Sequence, residues 1–449
     1  MRGRIVPDQL YDLILSAEKV VDPATFQIRQ NAMVCISDDC ITRIADNDPT
    51  APTKRRMDFG AAAILPAFVN AHTHLDLSHN RGRMLKSTTF DQWLVKVVES
   101  RRDPVESIVA GVREALREMI ATGTTRVVDI LAAQDYAAVI AREVFDSPVR
   151  GTMCVEMFGQ DTAQTDAALQ RATTIALAVR KTLLNATGES RKQYDRRMGT
   201  ARRNPAVGYS PHAPYTTSGA LYEACLKCAA AEHAPVATHL AESPDERRFI
   251  KDGGGDFRDV FLKLGADLSV YRPPGISPLE FWKQHIEPYT ITGVNDTLLV
   301  HCYDMNDAEI AEMGQRRAVV AYCPRSRAYF GHPPFRFERF AAAGCTISIG
   351  TDSLASNDDL NMYHELQQAR RENPDIEAPE LFRAATMGGR RAIAGRLAGD
   401  DELAAWADLQ VVSVRGRVAS GNLFESLLTR EPQVKCVVAD GQVVHEDNS

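Results

Sequence analysis

Five of the eleven histidines in this 449-residue chain, His72, His74, His212, His239 and His301, fall at or just beyond the ends of short apolar runs, as does Asp352. His72 and His74 close the run Ile64-Leu65-Pro66-Ala67-Phe68-Val69-Asn70-Ala71-His72-Thr73-His74. In a strand, side chains two apart point the same way, so both imidazoles can face one ion. Neutral imidazoles suit zinc or iron, but two of them leave a four- or five-coordinate metal short of partners. His239 supplies a third imidazole and Asp352 a carboxylate, which leaves one position for water. A divalent ion lowers the pKa of such a water to about 7, so hydroxide is available near neutral pH. Glu242, three residues after His239, stands outside that ligand set and can carry a proton to a ring nitrogen or a leaving group. His301, in Leu299-Val300-His301-Cys302, is a candidate to orient the water or to stabilise developing negative charge.

Such distant residues meet only if the chain folds back on itself many times. Strand ends are read at Asn70–His72, Val127–Ile130, Cys154–Phe158, Val207–Ser210, Val236–His239, Leu298–His301, Val319–Cys323 and Ile347–Thr351. Helical stretches separate them, among them Phe90–Ala121, Ala163–Leu184, Ser218–His233, Asp307–Met313, Phe335–Ala343 and Asp358–Glu372. Alternation of strand and helix with Val/Ile-rich runs predicts an α/β fold with a covered parallel sheet, and eight repeats predict a closed (β/α)8 TIM barrel. All strand tips then surround one mouth. An open doubly wound sheet is the alternative, but it would carry a Gly-rich turn where His72-Thr73-His74 stands. Residues 1–62 and 401–449 hold short alternating segments such as Ala32-Met33-Val34-Cys35-Ile36 and Val434-Lys435-Cys436-Val437-Val438. Neither end can close a sheet alone, so the two are expected to pair into one small β-sandwich domain, with the barrel, 63–400, inserted between them.

Composition fits a globular enzyme, with 25% charged and 44% hydrophobic residues. The net charge of −7 argues against nucleic acid as a partner. No apolar run is long enough to span a bilayer, and Met1–Asp8 lacks the apolar core of a secretory signal. Nine cysteines without a framework pattern fit a reducing cytoplasm. The partner expected is a small molecule, with self-association into a homo-oligomer left open. The charged connection 185–203 reads as a solvated insertion, and 243–295, emerging at the mouth, as a cap over the substrate or an inert loop. Cys225 and Cys228, in a helical stretch without a second pair, read as packing residues. His233, His285, His332, His364 and His445 lie off the strand tips or lack partners, and His79 and Trp93 lie near the first loop and helix, with a place in the pocket wall left open.

The segments Pro66–His74, Ser210-Pro211-His212-Ala213-Pro214-Tyr215, His239-Leu240-Ala241-Glu242 and Gly350-Thr351-Asp352-Ser353-Leu354-Ala355-Ser356-Asn357 together resemble the amidohydrolase superfamily. More narrowly they resemble its mononuclear aminohydrolases and chlorohydrolases, which include cytosine, guanine and S-adenosylhomocysteine deaminases. The resemblance covers most of the chain, since a split β domain also belongs to that family. It implies metal ligation by His72, His74, His239 and Asp352, proton transfer through Glu242, assistance from His301 and a substrate contact from His212. The dinuclear members carry a modified lysine at the fourth strand tip. Here that tip reads Val207-Gly208-Tyr209-Ser210-Pro211-His212, so one ion is expected, zinc ahead of iron.

After the seventh strand, Tyr322-Cys323-Pro324-Arg325-Ser326-Arg327 has a Cys-Pro-x-Ser core resembling that of nucleoside-type deaminases, including aminodeoxyfutalosine deaminases. Arg325 and Arg327 are candidates for substrate contact there, or for pairing with acidic neighbours. The expected reaction is hydrolytic deamination of an aminated heterocycle or nucleoside with release of ammonia. The alternatives are a chlorohydrolase or other non-peptide C–N hydrolase on the same site, and, from another class, a non-catalytic metal-binding scaffold.

Overall fold

The computed structural model describes residues 10–84, 90–187, 206–265, 267–269, 271–290, 297–395, 398–414 and 420–447. Eight parallel strands, Phe68–Thr73, Thr124–Leu131, Arg150–Met157, Ala206–Pro211, Val236–Leu240, Thr297–His301, Val319–Tyr322 and Thr346–Ile349, pair in chain order. They are the eight strands read from the sequence. Ala71, Val128, Ile130, Cys154, Ala237, Leu298, Val300 and Ala321 fill the interior, while a larger apolar layer lies between strands and helices. A strand buried on both faces needs a continuous apolar run, and Thr124–Leu131 is buried throughout.

The barrel closes between its first and eighth strands. The His72 carbonyl accepts from the backbone N–H of Thr351 at 3.1 Å and of Asp352 at 3.0 Å. Asn70 bridges the same seam, its Oδ1 accepting from the Thr351 N–H at 3.0 Å and its Nδ2 donating to Thr351 Oγ1 at 2.7 Å. Gly350 is required by this approach, because a Cβ there would lie 2.9 Å from the Cβ, N and O of His72. Elsewhere, register levels the tips: His239 stands opposite Val300 and Leu240 opposite His301.

Local signals set the helix limits. The stretch Phe90–Ala121 is not one helix but two, Phe90–Ser100 and Val105–Ala121, because Pro104 ends the first and starts the second. Ser218 caps Gly219–Glu232, which ends at His233 in the left-handed region with φ 52°. Asn306 and Glu309 form a capping box on Asp307–Gln315. The expected cap region supplies the helices Pro244–Asp252, Asp256–Lys263 and Pro278–Thr290. Phe249, Phe257 and Leu268 build a separate apolar cluster there with Tyr215, and Asp256–Lys263 packs on Phe90–Ser100. Residues 291–295 of that region lie outside the described residues, as does the charged insertion beyond Thr187.

Both chain ends contribute to one mixed sheet of Tyr11–Val21, Ile28–Ser37, Cys40–Asp46, Thr53–Asp58, Ala63–Pro66, Leu409–Ser413, Gln433–Ala439 and Gln442–Glu446. Tyr11–Val21 is shared, its first half pairing with Thr53–Asp58 and its second with Ala63–Pro66. The chain crosses to the barrel at Ala67, after Ala63–Pro66 has joined this sheet, rather than at residue 63. Among the described residues no helix is long and apolar enough to cross a membrane. No disulfide links the nine cysteines.

Replacing Gly350 by alanine forces the seam apart, and overpacking of this kind destabilises by about 1–3 kcal/mol. A lower thermal midpoint together with lower metal content is the expected outcome. A variant that melts and binds metal like the wild type would show that the seam tolerates the extra carbon.

Candidate metal centre and active site

The strand tips gather the polar residues named from the sequence. Nε2 of His72 and Nε2 of His74 each lie 3.7 Å from Asp352 Oδ1. The ring of His239 is centred 4.9 Å from that of His72 and 5.5 Å from that of His74. Ligand atoms of His72, His74 and Asp352 lie within 4.8 Å of one another, and so do those of His72, His239 and His301. All five side chains are buried. Both ring nitrogens of His72 and Nδ1 of His74 have no hydrogen-bond partner among the described residues. Imidazoles buried this way need something to bind, and burial holds His72 below the ordinary histidine value and His74 well below it. They are the neutral form that ligates, so the donor set fits a divalent metal.

The candidate ligands are themselves oriented. His239 Nδ1 donates to the His212 carbonyl at 2.9 Å, which leaves its Nε2 for an ion. Asp352 Oδ2 accepts from Ser326 Oγ at 2.5 Å and Ser356 Oγ at 3.2 Å, which leaves Oδ1 facing the histidines. The Tyr303 hydroxyl donates to the Cys323 carbonyl at 3.1 Å, so it accepts from His301 Nδ1 at 3.2 Å. His301 Nε2 lies 3.6 Å from Glu242 Oε1. Four tip residues, Ala241, His301, Cys302 and Asp352, have φ of 49°, 76°, 56° and 56°. Each non-glycine residue held there costs about 1–3 kcal/mol, strain characteristic of functional sites.

Glu242 is placed with the same care. Glu246 accepts from the Ala241 N–H at 3.0 Å and from the Glu242 N–H at 2.8 Å, which fixes the turn after the fifth strand. The Glu242 carboxylate faces His301 and also His332, whose Nε2 is 3.5 Å away. Burial pushes the Glu242 carboxyl up, but the His301 and His332 imidazoles more than offset it, so it is held below the usual carboxylate range.

Several expectations change. His332, which the sequence marked as off the strand tips, reaches the site because Gly331 ends the helix Pro324–Phe330 and turns the chain back. Of the two roles expected for Arg325 and Arg327, both show the pairing with acidic neighbours. Arg325 pairs with Asp359 at 2.6 Å, and Arg327 with Glu372 at 2.7 Å while donating to the His332 carbonyl at 2.6 Å. The acidic partners come from elements other than the one that carries the arginines. His79 is buried against the Asp76 and Ser100 carbonyls, and Trp93 Nε1 donates to the Ala355 carbonyl at 2.8 Å, so both brace the loops. Cys225 packs in the apolar layer between strands and helices. His212, part-buried, bonds Thr216 Oγ1 through Nδ1 at 2.7 Å, and its Nε2 lies 3.8 Å from Glu156 Oε1. Glu156 and Arg101, joined at 2.9 Å, were not singled out at all. A glutamate at the tip of Met153-Cys154-Val155-Glu156-Met157 was visible by the same positional rule that found the histidines.

Losing a hydrogen-bond partner of a ligand typically costs 10- to 100-fold in metal affinity. Ser326→Ala is therefore expected to weaken zinc binding by about that factor without unfolding the chain, as read by competition with a chromogenic chelator. Unchanged affinity would remove Ser326 from the centre's support.

Residues 63–444 match the model of the amidohydrolase family. The chain is 29% identical over 342 residues to an aminodeoxyfutalosine deaminase of Deinococcus radiodurans, covering 75% of this chain and 74% of that one. It is 27% identical over 388 residues to one of Nitratiruptor sp., covering 84% and 86%. Among solved structures, Helicobacter pylori aminofutalosine deaminase in complex with methylthio-coformycin superposes with a TM-score of 0.78 at 20% identity, covering 97% of this chain and 100% of that one. Atrazine chlorohydrolase of Arthrobacter aurescens complexed with zinc gives 0.75 at 20% identity, covering 97% and 95%. With its barrel, its split small sheet and its cluster of tip histidines, this chain belongs to the amidohydrolase family.

Proposed function

We propose that the protein is a metal-dependent aminohydrolase that removes an amino group from an aminated heterocycle or nucleoside and releases ammonia. The observation that carries this reading is a buried carboxylate, Glu242, beside a set of unpartnered buried imidazoles but outside it. His72, His74, His239 and Asp352 would hold a single ion, zinc because imidazole and carboxylate donors suit it and because the Arthrobacter aurescens structure carries it. When bound, that ion acts as a Lewis acid and brings the pKa of water to about 7. The absence of a lysine at the fourth strand tip supports one ion rather than two.

The chain's own residues move the protons. Glu242, ionised at rest, takes a proton from the attacking water and delivers it to the ring nitrogen next to the amine-bearing carbon. His301, with Nδ1–H fixed on Tyr303, offers Nε2 to the second water proton and passes it to the departing ammonia. Asp352, held through Oδ2 by two serines, keeps Oδ1 on the ion side. His332 and Glu246 position Glu242, and His212 contacts the substrate. The balance is one water and one C–NH2 group consumed, one C=O group and one ammonia formed. A chlorohydrolase is the second reading, favoured by the similarity of fold to the atrazine enzyme. Relatives above 25% identity that are named deaminases favour the first. Nine thiols without a disulfide suit a cytoplasmic enzyme.

Proton transfer by a positioned side chain typically contributes 10²–10⁴-fold, so Glu242→Gln should keep its metal and lose turnover by about that factor in a coupled ammonia assay across aminated purines, pyrimidines and their nucleosides. Nearly unchanged turnover would remove Glu242 from the mechanism, and chloride release from a chlorinated heterocycle without ammonia release from any aminated one would replace the reaction. Chelation should abolish activity and lower the thermal midpoint, with both restored by zinc. Persistence of full activity in metal-free protein, verified by elemental analysis, would sink the metal-dependent reading.

A further inference from the structure

Beside the metal centre, the third and fourth barrel strands bring two polar atoms to one point. Glu156 and Ser210 are paired in register, and the backbone N–H of His212 donates to the Met157 carbonyl at 3.0 Å, so the Glu156 and His212 side chains stand next to each other. Glu156 is almost wholly buried, at 1% exposure. Its Oε2 accepts from Arg101 Nη2 at 2.9 Å, and Arg101 is held from the other side by Asp76, whose Oδ2 is 3.8 Å from its Nε. Glu156 Oε1 has no hydrogen-bond partner among the described residues and lies 3.8 Å from His212 Nε2. That separation is too long for a hydrogen bond between them and short enough for one oxygen to bond both. The His212 ring is centred 4.7 Å from that of His239, so this point adjoins the ligand set.

The chemistry of the two atoms selects the group that fits. The Glu156 carboxylate accepts only. If Thr216 donates to Nδ1, His212 presents Nε2–H, and a single hydroxyl bridges the gap by accepting from His212 and donating to Glu156. If Thr216 donates to the Ala213 carbonyl instead, 3.1 Å away, both atoms accept, and two neighbouring hydroxyls satisfy them. A hydroxyl serves in either case; an anion would be repelled by Glu156. Phe158 supplies the adjoining wall. Its ring is centred 4.8 Å from that of His212, tilted by 36°, and it is 43% exposed, the kind of apolar face against which the carbon face of a sugar ring packs.

We infer that Glu156, fixed by Arg101 and paired with His212, is a specificity-determining residue that binds the hydroxyl groups of a pentose, so that the substrate is a nucleoside rather than a free base. The inference rests on the aminohydrolase reading for the identity of the reaction, but the hydroxyl subsite is tested separately from it. In metal-loaded enzyme, kcat/KM for ammonia release is compared between an aminopurine ribonucleoside and its 2′,3′-dideoxy analogue, in wild type and Glu156→Gln. A hydrogen bond from a substrate hydroxyl to a charged group gives about ten- to hundred-fold discrimination, which is expected in the wild type and should fall below about three-fold in the variant. An equal loss on both substrates, or undiminished discrimination, overturns the subsite.

Binding supplies the readout that turnover cannot. Affinities for purine riboside, which carries no amino group, and for its 2′,3′-dideoxy form are measured by calorimetry on wild type, Glu156→Gln and His212→Asn. A hydroxyl-dependent difference lost in both variants supports the subsite even if no aminated compound is deaminated, an outcome that would overturn the reaction alone. Equal binding of the two compounds by the wild type overturns the subsite whatever the reaction. Should Glu156→Gln melt early, His212→Asn decides the binding comparison, because His212 has no share in the Arg101 ion pair.

Discussion

The centre depends on one covalently remote contact, the seam where the His72 carbonyl receives the N–H groups of Thr351 and Asp352. Without it the strand tips would fan out as an open sheet, with Asp352 at one edge and the His72/His74 pair at the other. Closure makes those edges neighbours. The same seam is reinforced by Asn70 on Thr351 and by the Thr73 hydroxyl, which donates to the Asp352 carbonyl at 3.1 Å. Asp352, the one carboxylate of the candidate ligand set, is thus fixed by backbone and side-chain hydrogen bonds, and its side chain retains little freedom once Ser326 and Ser356 hold Oδ2.

That rigidity has an energetic counterpart. Unpartnered buried polar atoms cost about 1–3 kcal/mol each, and both ring nitrogens of His72 and Nδ1 of His74 are such atoms. Strained φ at Ala241, His301, Cys302 and Asp352 adds to the cost. The rest of the barrel must offset it. Its contribution comes from an apolar layer enclosing Phe68, Tyr209, Tyr322 and Phe340, each nearly inaccessible to solvent. An ion at the mouth would relieve the unsatisfied nitrogens, which links metal binding to folding stability.

At the opposite end of the strands the small sheet is latched to the barrel by a buried cation. Arg126, on the second barrel strand, donates to Asp408 at 2.9 Å and pairs with Asp440, while its guanidinium lies 4.6 Å from the Trp406 ring centre. Arg390 is fully buried and donates to the carbonyls of Leu403 at 2.6 Å and Asp408 at 2.8 Å. The Arg126 contacts join chain segments hundreds of residues apart, so the C-terminal part of the small sheet is tied to the barrel. Breaking such a pair by removing one partner leaves a charge buried alone, which is why these arginines belong to the architecture.

Much of this was legible in residue order. Alternating apolar and helical periods marked all eight barrel strands, and polar residues at their ends marked His72, His74, His239, Glu242, His301 and Asp352, because a barrel sends every strand tip to one rim. What lay beyond reach was whatever depends on the approach of loops. His332 enters through a turn set by Gly331, and Arg325 and Arg327 are claimed by Asp359 and Glu372, partners that periodicity does not reveal. Glu156 shows the boundary between the two kinds of information. Its place at a tip could be read from the run around it, but the free oxygen facing His212 follows from Arg101 taking the other one, and Arg101 comes from a separate helix end. Strand order and side-chain alternation are local properties, written residue by residue. Which oxygen, nitrogen or guanidinium remains uncommitted is decided by neighbours that only the closed barrel brings within a few ångströms.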